Sequence, residues 1–383
     1  MYIENDEIKK KADYCLGCKV KMCQKGCPLE NDITGFIKCV KEEKYKEAYE
    51  VLCNTTVLQP ICGRICPHKS QCEGSCVRGI KAESVSIGDL ESYVGDLAIK
   101  NNYEIPKFTN EKRNKKIAVI GGGPAGLSNA AYLARNGYMV TIFEKYDKLG
   151  GILAHGIPDF RLDKEVLNKQ INKILDLGIE TKYNSILGKD YNIEELEKEY
   201  DAIFLAFGAN ISSKMGIQGE ELEGVYGGNE LLEYGNHPNY KNKKVCVIGG
   251  GNVAMDTART IKRLGAKSIK VIYRRAEKQM PAEKKEIADA KKEGIEFLFQ
   301  NNIVKILGDK KVKKIECIKT ELVKKEGETR EVPIDIEGSN YIMDMDYVIM
   351  AVGSKPEKEI VENLGIELTK WSNIRNKWKI HDI

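Results

Sequence analysis

Two segments of the chain share one plan, and this plan restricts the possible folds more than any other feature. Residues 116–145 read as an apolar strand, a glycine turn, a helix and a second strand, and residues 244–275 repeat that order. Units of this kind bury a parallel sheet between layers of helices. In a chain of 383 residues, two of them predict an α/β protein with two Rossmann-like, three-layer domains.

The first unit carries a dinucleotide-binding pattern. Gly121, Gly123 and Gly126 form G-x-G-x-x-G directly after the apolar strand, and Glu144 ends the second strand. In this pattern the glycines permit a tight turn, a close approach of the backbone to a pyrophosphate, and packing of helix on strand. The helix N-terminus adds a partial positive charge. Since a carboxylate at the strand end accepts hydrogen bonds from a plain ribose, we expect FAD here.

The second unit has the opposite charge at its strand end. Gly249, Gly251 and Ala254 form G-x-G-x-x-A, and the second strand ends in Arg274 and Arg275. A carboxylate would repel a 2′-phosphate, whereas a guanidinium pairs with it bidentately. The unit therefore predicts NADP(H) in preference to NAD(H). The alternative interpretation is that the two arginines are a solvated strand end.

Two further apolar segments end in similar small-residue turns. Residues 200–209 and 346–356 each read as a buried strand, followed by Gly208 and Gly353. Their similarity suggests crossover points between two domains, with the second domain inserted in the first. We predict a helical domain over 1–110 and an FAD-binding domain that begins at 111–225. We place an NADPH-binding domain at 226–350 and a return to the FAD domain at 351–383.

Cysteines are concentrated at the N-terminus, since ten of the twelve precede residue 77. One group reads C-x2-C-x4-C-x3-C-P from Cys15 to Pro28, and the other reads C-x3-C-P-x4-C-x3-C from Cys62 to Cys76. Structural zinc is conceivable, and unliganded thiols are a third alternative. We favour iron–sulfur clusters, because C-x3-C-P endings resemble ferredoxin-type ligation and a neighbouring flavin needs an outlet for single electrons. The cysteines outside the spacing are interpreted as buried thiols, namely Cys39, Cys53, Cys246 and Cys317.

Composition excludes several other classes. The formal charge of +4 gives no reason to expect a nucleic-acid partner. The sequence contains no run of 18 apolar residues, so no membrane-spanning helix is predicted. The N-terminus lacks the apolar region of a secretory signal. We therefore expect a cytoplasmic protein, in which disulfides are rare. Residues 33–52 show helical periodicity, and the charged segment 101–116 reads as a linker.

Taken together, the motifs resemble the small subunit of NADPH-dependent glutamate synthase and its relatives. These relatives include the N-terminal half of dihydropyrimidine dehydrogenase and the large subunit of NADH-dependent reduced ferredoxin:NADP oxidoreductase. The resemblance rests on CLGCKVKMCQKGCPL, ICGRICPHKSQCEGSCVRG, SIGDLESYVGD, GGGPAGLSNAAYLARNGYMVTIFEK, GGILAHGIPDFRL, GGGNVAMDTAR and YRRAEKQMPAEKKE. It covers essentially the whole chain.

The resemblance implies two [4Fe–4S] clusters in the N-terminal domain. It assigns one cluster to Cys15, Cys18, Cys23 and Cys76. It assigns the other to Cys27, Cys66, Cys72 and Glu91. Cys62 matches a recurrent cysteine that is not a ligand in this scheme. The alternative interpretation of Glu91 is a surface acid.

The resemblance also implies cofactor contacts. The segment 150–162 is similar to one that folds over FAD, with His155 in a packing or positioning role. The residues expected to bind FAD or NADPH are Gly121, Gly123, Pro124, Ala125, Gly126, Glu144, Lys145, Gly150, Gly151, Arg161, Gly208, Gly249, Gly251, Asn252, Val253, Ala254, Asp256, Arg274, Arg275 and Gly353. We expect no catalytic side chain, because the flavin carries the chemistry.

The resemblance implies a path from NADPH to FAD, to the clusters and to a partner. That partner would be the large subunit of a glutamate synthase-like enzyme, in a hetero-oligomer, or a ferredoxin-type protein. A ferredoxin:NADP-type or bifurcating oxidoreductase subunit is the close alternative. Relatives continue into a further strand whose aspartate binds the ribityl chain, which predicts an incomplete FAD half-site here. A non-catalytic cluster scaffold without FAD is therefore the alternative from another class.

Overall fold

A computed structural model describes residues 5–324 and 331–358, together with residues 360, 364 and 369. The chain divides into two compact units, one ending at Gly208 and the other beginning at Ala209. No helix in the described part of the chain has the length and apolar character needed to cross a membrane. Each unit is presented below by itself.

The first unit begins with a helical region that carries the ten N-terminal cysteines. Its helices are α1 (Asn5–Asp13), α2 (Met22–Lys25), α3 (Ile33–Lys41), α4 (Tyr45–Cys53), α5 (Gln59–Ile65) and α6 (Ile87–Lys100), and two 3₁₀ turns cover His68–Ser70 and Val77–Ile80. The periodicity over 33–52 corresponds to α3 and α4. The chain turns between them at Glu43, which has a φ of 58°. The side chain of Asp32 accepts a hydrogen bond from the Gly35 N–H and so begins α3.

The rest of the first unit is a parallel sheet with helices. Its strands are β1 (Lys116–Ile120), β2 (Met139–Phe143), β3 (Glu180–Lys182) and β4 (Ala202–Leu205), and its helices are α7 (Pro124–Arg135), α8 (Ile152–His155), α9 (Lys164–Leu175) and α10 (Ile193–Glu199). The strand order is β3-β2-β1-β4, and each pair is parallel. This is the predicted Rossmann-like arrangement, with β1 and α7 joined by the first glycine loop.

One hydrophobic core joins the helical region to this sheet. The core includes Leu52 and Leu90 from the helices and Val119 and Leu127 from the βαβ unit. Residues 101–115 of the predicted linker 101–116 have no regular secondary structure, and Lys116 begins β1. The segment packs against the core, since Ile105 is buried. The iron–sulfur and FAD regions predicted from sequence therefore share one interior in the first unit.

Two buried polar side chains cross the same boundary. Arg135 at the end of α7 donates to the carbonyl of Cys53 at 2.5 Å and to that of Pro106 at 2.6 Å. Gln170 in α9 donates to the carbonyl of Val57 at 2.6 Å. Because buried carbonyls need hydrogen-bond partners, these contacts fix the helical region against the sheet.

The second unit contains the second glycine loop. Its helices are α11 (Gly228–Tyr234), α12 (Asn252–Arg263) and α13 (Lys284–Lys292). Its strands are β5 (Ile211–Ser212), β6 (Val225–Gly227), β7 (Lys244–Ile248), β8 (Ser268–Tyr273), β9 (Glu296–Phe299), β10 (Asn301–Gly308), β11 (Val312–Val323), β12 (Val332–Asp335), β13 (Tyr341–Asp344), β14 (Tyr347–Met350) and β15 (Ser354–Lys355). A five-stranded parallel sheet has the order β6-β14-β7-β8-β9, and an antiparallel sheet of β10 to β13 accompanies it.

The two strands predicted to be buried, β4 and β14, differ in their observed burial. β14 lies inside the five-stranded sheet, and Val348 and Ile349 are fully buried, as expected. The prediction is wrong for β4, whose residues are exposed or half-buried, with Phe204 37% exposed. Among the described residues β4 is an edge strand that pairs with β1 alone, so its outer side has no neighbour. The domain boundaries at 110, 225 and 350 remain predictions, and most of the predicted return at 351–383 lies outside the described residues.

Candidate functional site

The first glycine loop has the backbone that a tight strand-to-helix turn requires. Gly121 has a φ of 104°, and a Cβ there would lie 2.4 Å from the carbonyl oxygen of Ala206. A Cβ on Gly126 would lie 1.9 Å from the carbonyl oxygen of Gly121. Gly123 caps α7, and Pro124 opens the helix at a position where a missing N–H costs nothing, with Ala125 next.

Glu144 supports this loop directly. Its carboxylate accepts hydrogen bonds from the N–H of Gly122 at 2.8 Å and from the N–H of Tyr146 at 3.0 Å. The side chain is buried, and burial raises its pKa although the two N–H donors act in the opposite direction. The structure thus places the predicted acid against the glycine turn, where its remaining lone pairs could accept hydrogen bonds from ribose hydroxyls.

The segment after β2 folds back onto the same loop. The Gly150 N–H donates to the carbonyl of Gly122 at 2.8 Å, and a Cβ on Gly151 would lie 2.8 Å from the Cα of Gly123. Gly151 has a φ of 51°. Close backbone contact therefore brings these two predicted residues to the first loop, where side chains would not fit.

The other residues predicted for the first site lie outside the glycine loop itself. His155 packs against Tyr146, with ring centroids 4.2 Å apart, which agrees with a packing role. The Lys145 ammonium lies 4.8 Å from the centre of the Tyr146 ring. Arg161 is half-buried in the turn after α8. Gly208 follows β4 with a φ of 80° at the end of the first unit.

The second glycine loop reproduces the first in detail. Gly249 has a φ of 138°, and a Cβ there would lie 2.2 Å from the carbonyl oxygen of Ala351. A Cβ on Gly251 would meet no protein atom within 4 Å. Asn252 opens α12 and accepts a hydrogen bond from the Glu283 N–H at 3.0 Å. Space beside Gly251 is therefore available to a ligand at the N-terminus of α12.

A large cavity lies at this loop. It has a volume of about 890 Å³, which is ample for a dinucleotide half. Six of the predicted cofactor-binding residues line the cavity, namely Gly249, Gly251, Asn252, Val253, Arg274 and Gly353. A seventh, Ala254, is buried in the first turn of α12. Asp256 is buried in α12.

The two arginines at the end of β8 differ in their position relative to the cavity. Arg274 lines it, and Arg275 is not among the lining residues. The carbonyl of Arg274 accepts a hydrogen bond from the Thr320 hydroxyl at 2.8 Å, which fixes the strand end against β11. Of the two arginines, Arg274 is therefore in the better position to bind a 2′-phosphate.

The sequence analysis missed the rest of the cavity wall. Several polar residues from other elements face the same space: Lys214, Asn229, Asn301, Asn302, Asp335 and Ser354. They come from helix α11, from several strands and from a loop, and they have no motif of their own, so only the tertiary fold brings them to the glycine loop. Pro281 also lines the cavity and belongs to the YRRAEKQMPAEKKE motif.

The N-terminal cysteines form two groups. Cys15, Cys18, Cys23 and Cys76 all line one cavity, although 53 positions separate the last two in sequence. Burial raises the pKa of Cys23 to about 11, and the Cys76 and Cys15 thiols add to the shift because they lie close to it. The structure therefore brings together the four residues predicted for the first cluster.

The second group contains the predicted carboxylate. Glu91 in α6 is only 7% exposed, and burial raises its pKa to about 8, with a further contribution from the nearby Cys66 thiol. Burial also raises the pKa of Cys72, and the charges of Glu91 and Cys27 act on it too. Cys27, Cys66, Cys72 and Glu91 thus share one neighbourhood, and Glu91 is not a surface acid.

The remaining thiols have different surroundings. The Cys62 and Cys66 thiols form a hydrogen bond, which together with burial raises the pKa of Cys62, and the Cys62 sulfur lies 4.0 Å from the Thr56 hydroxyl. Cys53, Cys246 and Cys317 are buried as predicted, whereas Cys39 is half-buried. Within residues 5–324 and 331–358, no three His, Cys, Asp or Glu side chains are close enough together for a single metal ion.

Two family profiles match the chain, one over the helical region and the other over both glycine-loop regions. Residues 115–379 match the pyridine nucleotide-disulphide oxidoreductase family. Residues 1–103 match the family described as dihydropyrimidine dehydrogenase domain II, 4Fe-4S cluster. The helical region and the two glycine-loop units therefore correspond to families with the predicted chemistry.

Individual relatives narrow the assignment of the chain to a protein family. The glutamate synthase [NADPH] small chain of Escherichia coli strain K12 is 36% identical over 365 residues, which cover 91% of this chain and 77% of that protein. The chain belongs to the glutamate synthase small-chain family. The β subunit of the NADPH-Fe(3+) oxidoreductase of Geobacter sulfurreducens is 37% identical, and the match covers 93% of this chain. The chain spans 54%, or about half, of the length of that second relative.

Solved structures support the fold. FprA of Mycobacterium tuberculosis, in a complex with NADPH, aligns with a TM-score of 0.61 at 21% identity, covering 69% of this chain and 75% of that one. The predicted fold class is thereby confirmed, as is membership in an oxidoreductase family that uses FAD, NADP and [4Fe–4S] cofactors. The contacts of individual residues with those cofactors remain predictions.

Proposed function

We propose that the chain is the electron-input subunit of a glutamate synthase-type enzyme, oxidising NADPH and delivering electrons to a larger partner subunit. The observation that carries this proposal is the cavity lined by Cys15, Cys18, Cys23 and Cys76. Four thiols that converge from distant parts of the chain would hold a cluster, and a cluster in a chain with two dinucleotide folds would provide an outlet for single electrons. When bound, FAD supplies hydride acceptance and release of single electrons, and [4Fe–4S] clusters conduct those electrons one at a time.

The residues of the second unit fit NADPH. Gly251 leaves open space at the N-terminus of α12, where backbone N–H groups and the helix dipole favour a pyrophosphate. Arg274 faces the same cavity and would pair with the 2′-phosphate. We infer that these two features orient NADPH and give the site its preference over NADH.

The residues of the first unit fit FAD. The contact between Gly123 and Gly151 leaves only backbone at the loop, so a pyrophosphate could approach it closely. Glu144 is held in place by two N–H donors and would accept hydrogen bonds from the ribose. The flavin content of the purified chain decides between this proposal and the alternative of a scaffold without FAD.

The two cysteine groups fit two clusters. Thiolates are the usual ligands of [4Fe–4S] clusters, and each group offers four ligating side chains. The first group would use Cys15, Cys18, Cys23 and Cys76, and the second would use Cys27, Cys66, Cys72 and Glu91. Glu91 would replace a thiolate, and its burial beside Cys66 supports this role.

A second candidate function has support from one comparison. The match to the β subunit of an NADPH-Fe(3+) oxidoreductase covers 93% of this chain at 37% identity. The same chain could therefore serve an acceptor other than a glutamate synthase large subunit, such as a ferredoxin-type protein. In both cases we place the protein in the cytoplasm, within a hetero-oligomer.

An anaerobic titration of the purified chain, with its iron–sulfur content reconstituted, tests the proposal. We expect NADPH to bleach the visible flavin absorbance, and NADH to do so far less effectively at the same concentration. Adding the large subunit of a glutamate synthase should restore the absorbance when glutamine and 2-oxoglutarate are present. A protein without flavin, or one that responds equally to NADH, would contradict the proposal. Reoxidation by ferredoxin but not by the large subunit would favour the second candidate.

A further inference from the structure

Cys62 belongs to the second cysteine motif but has no role in the proposed function. It lies on α5, and Cys66 follows one helical turn later, with its N–H donating to the Cys62 carbonyl at 3.1 Å. Side chains four positions apart on a helix lie on the same face. Cys62 is therefore an additional thiol directly beside a residue predicted to bind the second cluster.

Close packing of α5 on α6 holds this pair of thiols beside Glu91. A Cβ on Gly63 would lie 2.3 Å from the backbone nitrogen of Ser92 and 2.6 Å from the carbonyl oxygen of Gly88. The two helices thus meet backbone to backbone at the residues that follow Cys62 and Glu91. Because packed backbones of this kind cannot shift independently, helix packing fixes the position of the Cys62 thiol relative to the second group.

The Cys62 and Cys66 thiols form a hydrogen bond, and its direction follows from the chemistry of a ligating sulfur. A cysteine that binds iron does so as a thiolate, which has no proton to donate. Cys62, which binds no iron in this assignment, keeps its proton, because the hydrogen bond and burial both raise the pKa of its thiol. The Cys62 S–H is therefore the donor, and the Cys66 sulfur is the acceptor.

A hydroxyl group next to Cys62 supports this direction. The Thr56 side chain is buried, and its oxygen accepts a hydrogen bond from the Leu58 N–H at 3.0 Å. The same oxygen lies 4.0 Å from the Cys62 sulfur, a long hydrogen bond. Since the Cys62 proton goes to Cys66, the Thr56 hydroxyl is the donor to Cys62. The donors therefore run in one chain from the Leu58 N–H to the Cys66 sulfur, and the bonds in such a chain strengthen one another.

The first cysteine group differs in this respect. Its cavity is lined by Cys15, Cys18, Cys23 and Cys76 and, among the described residues, by no fifth thiol. A substitution at Cys62 leaves these four thiols unchanged. The first group therefore provides an internal reference for any effect of Cys62 on the second.

We propose that Cys62 is a positioning residue whose S–H donates to the Cys66 sulfur and raises the reduction potential of the second cluster. The inference rests on the proposed function, because it takes Cys66 as a ligand and Cys62 as a non-ligand. A hydrogen bond to a ligating sulfur stabilises negative charge on it, and therefore favours the form that has gained one electron. The proton stays on Cys62, and no bond breaks.

A redox titration of the full chain with its cofactors, followed by electron paramagnetic resonance, tests the proposal without relying on turnover. We expect Cys62→Ala to lower the reduction potential of one cluster and to leave that of the other unchanged. Cys62→Ser keeps a hydroxyl donor and should stay close to the wild type. The control Cys39→Ala removes a half-buried thiol outside both groups and should change neither potential. All variants should retain about eight iron atoms.

Infrared spectroscopy observes the donor itself and needs no reduction of the clusters. A hydrogen bond weakens the S–H bond, so the S–H stretching band moves to lower frequency. In the oxidised chain with its cofactors, the band that disappears in Cys62→Ala should therefore lie below the band that disappears in Cys39→Ala.

Several results would overturn the proposal in distinguishable ways. Equal potentials in the wild type and Cys62→Ala, or equal shifts in Cys62→Ala and Cys62→Ser, would leave Cys62 with a packing role. Equal S–H frequencies for Cys62 and Cys39 would show that Cys62 donates no hydrogen bond. Loss of about four iron atoms in Cys62→Ala would make Cys62 a ligand, and the proposed function would stand. A wild-type chain without iron would instead contradict the proposed function itself.

Discussion

The two glycine loops have nearly the same backbone but opposite chemistry at the neighbouring strand end. In both, the first glycine has a positive φ, and a Cβ there would collide with the carbonyl of the residue that follows the adjacent parallel strand, Ala206 or Ala351. Glu144 is buried and held by two N–H donors, whereas Arg274 is exposed and lines an open cavity. The loop thus sets the geometry of a dinucleotide site, and the strand end sets which dinucleotide it prefers.

The helices that follow the loops each bury an arginine in a different way. Arg135 in α7 donates to two backbone carbonyls, and burial lowers its pKa. Arg259 in α12 forms ion pairs with Glu286 and with Glu293, the latter at 2.9 Å. Burial acts to lower the pKa of Arg259, but these carboxylates raise it overall. The first arginine joins a sheet to the helical region, and the second joins α12 to α13.

The largest expected effect comes from removing the ion-paired arginine. Arg259→Met should lower the free energy of unfolding by about 3–5 kcal/mol, because the largely buried Glu286 loses its counter-charge. Arg135→Met should cost less, about 2 kcal/mol, since it leaves neutral carbonyls unpaired. Urea unfolding followed by circular dichroism measures both. Arg263→Met, at a more exposed partner of Glu293, is the control and should cost less than about 1 kcal/mol.

The third loop position should respond unequally in the two units. Gly126→Ala should destabilise the first unit by about 3 kcal/mol and reduce its flavin content, because the new Cβ meets the Gly121 carbonyl oxygen at 1.9 Å. At the matching position of the second loop, Ala254→Gly should cost only about 1 kcal/mol, the usual helix penalty of glycine. Thermal unfolding and flavin absorbance report the difference. Equal losses in both variants would argue against the close packing described for the first loop.

The two arginines at the end of β8 should differ in their effect on cofactor choice. Arg274→Gln should weaken NADPH binding by about 2 kcal/mol, or about thirtyfold, while NADH binding stays the same. Arg275→Gln should change both affinities by less than about threefold, because Arg275 does not line the cavity. Fluorescence titration of each nucleotide gives the ratio. A larger effect at Arg275 would reassign the 2′-phosphate contact.

The smallest expected effect is on the pH dependence of the stability of the first unit without FAD. The folded-state pKa of Glu144 is raised above its ordinary value, so its protonated form is favoured by folding. The resulting stability is fully present below the ordinary pKa and is lost as pH rises through the raised pKa, by at most about 1.4 kcal/mol per pH unit. Unfolding curves should therefore show the wild type losing stability relative to Glu144→Gln over this range. Glu197→Gln, at an exposed site on α10, should run parallel to the wild type.

The sequence was sufficient for features that depend on short spacing. The glycine loops, Glu144 and the arginines of β8 lie within single βαβ units, whose local geometry follows from the pattern. Pairing Cys23 with the distant Cys76 required the resemblance to a family, because spacing alone groups Cys23 with its neighbours. The packing of Arg135 on the Cys53 carbonyl and the cavity contribution of Asn301 had no local signal. The exposure of β4 depends on what its outer side pairs with, which periodicity does not reveal.

Cofactor content of the anaerobically prepared chain tests the central claim most directly. Two [4Fe–4S] clusters and one flavin predict about eight iron atoms, about eight acid-labile sulfides and about one FAD per chain. Cys18→Ala should lower the iron content to about four with FAD retained, whereas Cys39→Ala, a thiol outside both groups, should leave it at about eight. Zinc in place of iron, or the same iron loss in both variants, would contradict the account.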